Sequence, residues 1–280
     1  MNHIELYNTT CSACSSLITR RYSTSFSLGI RLFHPRFRAP IYGIYGFVRF
    51  ADEIVDTFHH CDKATLLARF REDTYRAIDE RISLNPVLHA FQEVVHRYGI
   101  ERELIDAFLK SMEMDLHKNA YDTDGYQEYI YGSAEVVGLM CLRVFCEGDD
   151  ARYHTLKEPA RRLGAAFQKI NFLRDIRSDY DERGRVYFPG VDFQRFDNEA
   201  KRRIEADIRA DFDAALAGIR QLPKGARLGV YLAYKYYTQL FAKIERAPAQ
   251  RIAQERFRVS DRRKMLLLFS STLRHQLNFL

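Results

Sequence analysis

Tyr45-Gly46-Phe47-Val48-Arg49-Phe50-Ala51-Asp52-Glu53-Ile54-Val55-Asp56 and Gln168-Lys169-Ile170-Asn171-Phe172-Leu173-Arg174-Asp175-Ile176-Arg177-Ser178-Asp179 are the stretches whose reading decides the fold. Each ends on two aspartates four residues apart, a spacing that at 3.6 residues per turn puts both carboxylates on one helix face. Like charges so placed cost an isolated helix roughly 0.2–0.5 kcal/mol per pair. The polar stripes run further: Tyr45, Arg49, Asp52 and Asp56 on one helix, Gln168, Asn171, Asp175 and Asp179 on the other. Apolar residues fill the remaining faces (Ile41, Ile44, Phe47, Val48, Ile54 and Val55; Leu163, Phe167, Ile170, Leu173 and Ile176). A charged stripe on an otherwise apolar helix has to line something wet or ionic, because buried charges without partners are too costly to keep.

Outward from these stripes the pattern is helical throughout, with almost no period-two alternation. The expected helices span 11–32, 40–58, 63–82, 86–98, 101–118, 125–146, 153–182, 197–220, 226–246 and 260–277, which makes the fold all-α. Pro35 and Pro40, Asn85-Pro86, Gly99 and Leu222-Pro223-Lys224-Gly225 supply the breaks. No Gly/Ser/Pro tract divides the 280 residues, and 46% hydrophobic content can fill one core, so residues 1–280 are expected to form a single domain. The irregular stretch 184–198 after the second stripe reads equally as a lid over a site or as a plain connector.

The net charge of +6 is modest and spread out. It suits a diphosphate or an anionic membrane surface, while no reader motif or continuous basic face points to nucleic acid. Five cysteines, an odd number, argue for a reducing compartment, and Cys11-x2-Cys14 lacks a second pair for zinc, so it reads as packing. Residues 1–10 lack a signal-peptide core. The longest apolar runs, 136–142 and 265–269, fall far short of the ~20 residues a membrane span needs. The expectation is a cytoplasmic protein, at most peripheral to a membrane; the sequence sets no oligomeric state.

Two facing aspartate pairs are suited to Mg²⁺, which keeps several waters and takes one or two carboxylates plus substrate phosphate oxygens. Arg49 and Arg174 beside them can hold phosphate in bidentate fashion. No Gly-rich nucleotide loop, His-x3-His pair or paired Glu-x2-His motifs of the di-iron bundle type offer another chemistry.

These motifs, with Ser23-Thr24-Ser25-Phe26-Ser27, Ile44 before Tyr45, and Gly184-Arg185-Val186-Tyr187-Phe188-Pro189, resemble the squalene and phytoene synthase family over about residues 12–275. The resemblance is greatest to its phytoene-synthase branch. It implies a single-domain isoprenoid-synthase helical bundle around a central cavity that takes two prenyl diphosphates. One ionises, its C1 cation is captured by the other's double bond, and the cyclopropylcarbinyl diphosphate formed ionises again to give a 1–1′ linked product. By the same resemblance Asp52, Asp56, Asn171, Asp175 and Asp179 would hold Mg²⁺ or Mn²⁺. Ser23, Ser25, Phe26, Arg49, Gln168, Arg174, Tyr237 and Arg256 would bind substrate, and Tyr45, Arg49, Tyr131 and Arg174 would act in catalysis. A tyrosine face stabilises a nearby cation by about 2 kcal/mol or more when desolvated. NADPH is not expected. Glu135 departs from many members of the family, which carry small residues in that run; it places an acid in that helix and leaves the local cavity shape and the proton acceptor open. The rival readings are a farnesyl-using squalene or dehydrosqualene synthase, a terpene cyclase or head-to-tail prenyltransferase, and a non-catalytic scaffold of the same fold.

Overall fold

The computed structural model describes residues 2–118, 120–191, 196–252, 254–260 and 271, with the side chains of Ser25, Glu182 and Arg183 outside that description. Twelve α-helices follow in order among them: α1 His3–Tyr22, α2 Thr24–Arg31, α3 Pro35–Asp56, α4 Lys63–Glu80, α5 Pro86–Tyr98, α6 Arg102–His117, α7 Thr123–Ile130, α8 Val136–Cys146, α9 Asp150–Arg183, α10 Asn198–Gln221, α11 Lys224–Glu245 and α12 Ala249–Ile252. The expected helix 260–277 lies almost wholly outside the described residues, as do Arg262, Arg263 and Lys264.

Local chemistry explains where the boundaries differ from expectation. The chain enters α1 at His3 because Asn2 and Glu5 form a reciprocal capping box, a signal present in the sequence and overlooked. The single helix expected over 11–32 is broken at Ser23, which is extended and accepts from the Phe26 amide at 3.2 Å, so one residue ends α1 and caps α2. Helix α3 starts at Pro35 and runs through Pro40. Pro35 suits the first turn, and the bond lost at Pro40 is offset where Phe37 and Ile41 bury completely. Between α7 and α8 the helix widens into a π-turn, Tyr131–Glu135.

Two apolar clusters form the core. Phe47 stacks on Phe91 at 4.0 Å in the first, and Phe172 stacks on Tyr187 at 3.9 Å in the second. Members of both wall a cavity of about 480 Å³ enclosed by α2, α3, the π-turn, α8, α9, α10 and α11. Close helix approaches shape it: a side chain on Gly218 would meet Pro159 of α9, and one on Gly229 would meet Phe33. The continuous stretch Thr123–Cys146 is, by length and composition, apolar enough to cross a membrane, with mean hydropathy 1.3. In the fold 61% of that window is buried, as the inner wall of the bundle.

Candidate active site

The cavity has a polar end and an apolar depth. Ser23, Gln168, Arg174 and Tyr237 line the former; Phe33, Leu142, Phe145, Leu156, Ile219 and Leu222 line the latter. Both acidic stripes gather at the polar end, because α3 and α9 carry them on their last turns.

On α3, Arg49 donates to Asp52 at 2.8 Å and pairs with Glu53, and its guanidinium lies 4.4 Å from the centre of the Tyr22 ring. Tyr45 stacks on Phe26 at 4.9 Å, and burial raises its hydroxyl above the ordinary tyrosine value. Ser23, besides capping α2, lines the cavity near the Tyr45 hydroxyl, so its structural place and its place at the site coincide. Phe26 also lines the cavity. Ser25 lies within α2, its side chain outside the described residues.

On α9, Arg174 holds Asp175, its Nε at 3.0 Å; burial works against its charge, and the Asp175 carboxylate more than compensates. Arg256 reaches the same carboxylate at 2.7 Å from 81 residues downstream, joining the site although its sequence neighbourhood carries little signal. A polar chain runs up the helix: the Gln168 amide donates to Ser133 at 3.3 Å, Asn171 to Gln168 at 3.4 Å, and the Tyr237 hydroxyl to Asn171 at 3.2 Å. Tyr237 stacks on Phe167 at 4.0 Å. Asp179 is buried, and its carbonyl accepts the Arg185 amide at 2.9 Å.

Arg185 joins the two stripes. Its guanidinium lies 3.7 Å from Asp56 and 3.2 Å from Asp115, and donates to the Asp115 carbonyl at 2.6 Å. The segment that carries it is pinned: Val186 bridges Ala120, and Tyr187 and Phe188 are buried. Residues 185–188 are therefore an anchor, and the lid reading fails for them.

Tyr131 is not brought to the aspartates. It is half-buried outside the cavity lining, with the Arg161 guanidinium 5.4 Å from its ring centre. Two residues earlier Tyr129, fully inside, donates to Asp115 at 2.9 Å. Residues two apart on a helix point to nearly opposite sides, so Tyr129 turns to Asp115 and Tyr131 to Arg161. Glu135 does not line the cavity either; it pairs with Arg161 at 2.6 Å.

Asp115 went unnoticed in the sequence, where its only signal is an acid three and seven residues after the buried Met112 and Phe108 of α6. Burial pushes its carboxyl up to about 7, against the opposing pull of Arg185 and the Tyr129 hydrogen bond; Asp56 and Asp52 add to the rise. One of its oxygens has no hydrogen-bond partner. An acid whose folded pKa is raised from the usual value near 4 binds its proton more tightly in the native state. Its contribution to stability therefore declines as pH rises from about 4 to about 7 and is flat above. Asp115→Asn should flatten that decline, read as denaturation midpoints at pH 5 and pH 8 for both proteins; equal losses in both would show that Asp115 does not titrate in this range.

The family model for squalene/phytoene synthase matches residues 19–263. The chain belongs to the squalene/phytoene synthase family. It is a prenyltransferase, and the reaction is the head-to-head condensation of prenyl diphosphates. Among similar proteins, a phytoene synthase of Rhodobacter capsulatus is 30% identical over 93% of this chain and 80% of its own length. Another, from Arthrospira platensis, is 28% identical over 92% of this chain and 91% of its own length. A crystal structure of a dehydrosqualene synthase superposes with a TM-score of 0.80 over 95% of this chain and 96% of its own, at 21% identity, which bears on the fold alone.

Proposed function

We propose that the chain, acting as one catalytic unit over residues 1–280, condenses two geranylgeranyl diphosphates to phytoene through a cyclopropylcarbinyl diphosphate, releasing diphosphate without NADPH. The observation that carries the choice of donor is the length of the apolar wall. Arg174 at the polar end and Leu156 in the depth both line the cavity, eighteen residues apart on α9, which is about 27 Å at 1.5 Å per residue. With carbon–carbon bonds of about 1.5 Å, an extended isoprene unit advances roughly 5 Å, so a C20 chain needs about 20 Å and a C15 chain about 15 Å. The wall is long enough for the longer chain. The phytoene synthases among the relatives support the same donor.

In this reading Arg49, Arg174 and Arg256 turn from their carboxylates to diphosphate oxygens, with Ser23 and Gln168 as further contacts. The rings of Tyr45 and Tyr237 face the carbocation, and Phe26 closes the wall beside it. Asp52, Asp56, Asn171, Asp175 and Asp179 are all oxygen donors. Among the described residues no three His, Cys, Asp or Glu side chains group closely enough to cage an ion. That donor set fits Mg²⁺, or Mn²⁺, shared with phosphate oxygens and water. When bound, the metal neutralises the leaving diphosphate at both ionisations. A C40 hydrocarbon is insoluble in water, so the reading includes a cytoplasmic enzyme that meets a membrane peripherally to release it.

Purified protein incubated with Mg²⁺ and farnesyl or geranylgeranyl diphosphate, with and without NADPH, and analysed by mass, tests the proposal. A C40 hydrocarbon with a central conjugated triene, from the C20 donor alone, is the expected product; dominant C30 hydrocarbon, or an absolute need for NADPH, would overturn it. Excess EDTA should stop diphosphate release from the donor and from the cyclopropyl intermediate alike. Conversion of the intermediate under EDTA would separate the two ionisations, and the absence of any Mg²⁺-dependent diphosphate release would favour the scaffold reading.

A further inference from the structure

The polar stripe of α9 extends below Gln168, through Gly164 to Arg161, at steps of four and three residues. The π-turn is read against it residue by residue. Ser133 accepts from Gln168 at 3.3 Å, and Glu135 pairs with Arg161 at 2.6 Å. Between them a side chain on Gly164 would come within 2.7 Å of the Ala134 carbonyl oxygen and 3.1 Å of the Glu135 Cα, so only glycine lets the helices meet there. Three consecutive residues of the turn thus meet three successive stripe positions. Ser133 and Ala134 face the cavity, and Glu135 is buried behind it with 8% of its surface exposed. Arg161 is held from both sides, by Glu158 at 3.1 Å and by the Tyr131 ring at 5.4 Å.

The geometry points to Glu135 and Arg161 as a positioning pair that locks the register of the π-turn on α9 and so places Ser133 against Gln168 at the junction of the polar end and the apolar depth. The pair touches no substrate. It acts through Ser133, Gln168, Asn171 and Tyr237, which form one hydrogen-bonded chain up to the second aspartate motif. A π-turn is one residue wider than an α-turn and rare, so losing the contact that holds it favours reversion to the regular helix. Reversion rotates Ser133 off Gln168 and shifts the wall beside the site of ionisation, where an ångström of misplacement is costly. The same pair turns the Glu135 carboxylate out of the cavity and offsets its charge. The inference rests on the family's prenyl diphosphate chemistry, whichever donor length is used.

The test compares the wild-type full chain with Glu135→Gln, Arg161→Gln, the double variant and Ser133→Ala. Each of the first three is expected to keep KM for the donor within about twofold and lose about tenfold in kcat, the usual scale for a group behind a ligand. A larger share of the released diphosphate should then be matched by prenyl alcohol or cyclopropyl intermediate in place of hydrocarbon. The double variant should be no worse than either single, since both break one contact. Ser133→Ala, with the ion pair intact, should shift the partition in the same direction. Amide hydrogen exchange over residues 131–138 needs no turnover and should speed up in Glu135→Gln whatever donor the enzyme uses. An unchanged product partition in Glu135→Gln and Ser133→Ala, or unchanged exchange over the turn, would overturn the assignment and leave Glu135–Arg161 a plain stabilising pair; failure to convert either donor would instead count against the proposed function.

Discussion

Asp175→Ala is expected to abolish useful turnover while the protein still folds. Asp175 is where Arg174 and Arg256 converge, from the same helix and from 81 residues away, so two cations are invested in this one carboxylate. In the proposed mechanism its loss removes a metal ligand and leaves two guanidiniums without their resting partner. A metal at a leaving group supplies several kcal/mol of charge stabilisation, and at 1.36 kcal/mol per decade a drop in kcat of roughly a hundred- to a thousandfold follows. Asp52→Ala should behave alike, because it removes a metal ligand of the first stripe, although Arg49 keeps its pair with Glu53. Neither change should unfold the bundle: both sites lie in helices, where alanine is favourable, and each removes one member of a repelling pair. Diphosphate release at ordinary Mg²⁺ levels, read beside a thermal melt, decides it, and near-native turnover in either variant would mean that the aspartates do not hold the metal.

Val137→Phe is the change expected to alter the product most. Val137 lines the cavity on α8, next to Gly138, which approaches Ala160 of α9; Ala160 stands fourteen residues below Arg174, or about 21 Å along the helix. A phenyl ring projecting there meets the last isoprene unit of a C20 chain and spares a C15 chain of about 15 Å. The extra volume goes into open cavity, so the usual cost of overpacking, about 1–3 kcal/mol, should largely be avoided. The expected result is at least about a tenfold fall in the ratio of kcat/KM for the C20 donor to that for the C15 donor, the scale of one or two methylenes denied a pocket. An unchanged ratio would place the end of the substrate elsewhere and remove the argument from wall length.

Much of the site was legible in the two stripes because helical periodicity is a local property. Residues three and four apart share a face in any α-helix, so the placement of Tyr45, Arg49, Asp52 and Asp56 follows from spacing alone. Spacing says nothing of Tyr131, which came from the resemblance and lies outside the cavity lining. It lies two residues beyond Tyr129 at the start of a π-turn, and which of two tyrosines faces inward depends on the rotation of that helix against its neighbours. Arg256 came from resemblance, and its ion pair with Asp175 could not be read locally, since it closes over a long separation.

Composition and period therefore determined an all-helical chain, two stripes of oxygen donors and an apolar remainder that had to be covered. Only the tertiary structure decided that Arg185 bridges Asp56 to the buried Asp115, that residues 185–188 anchor rather than cover the site, and that Glu135 is turned away from the cavity onto Arg161. The physical reason is that a charge's effect depends on which partner lies within a few ångströms and on how much water has been excluded around it. Both are set by helix packing, and neither is written in the spacing of residues along one helix.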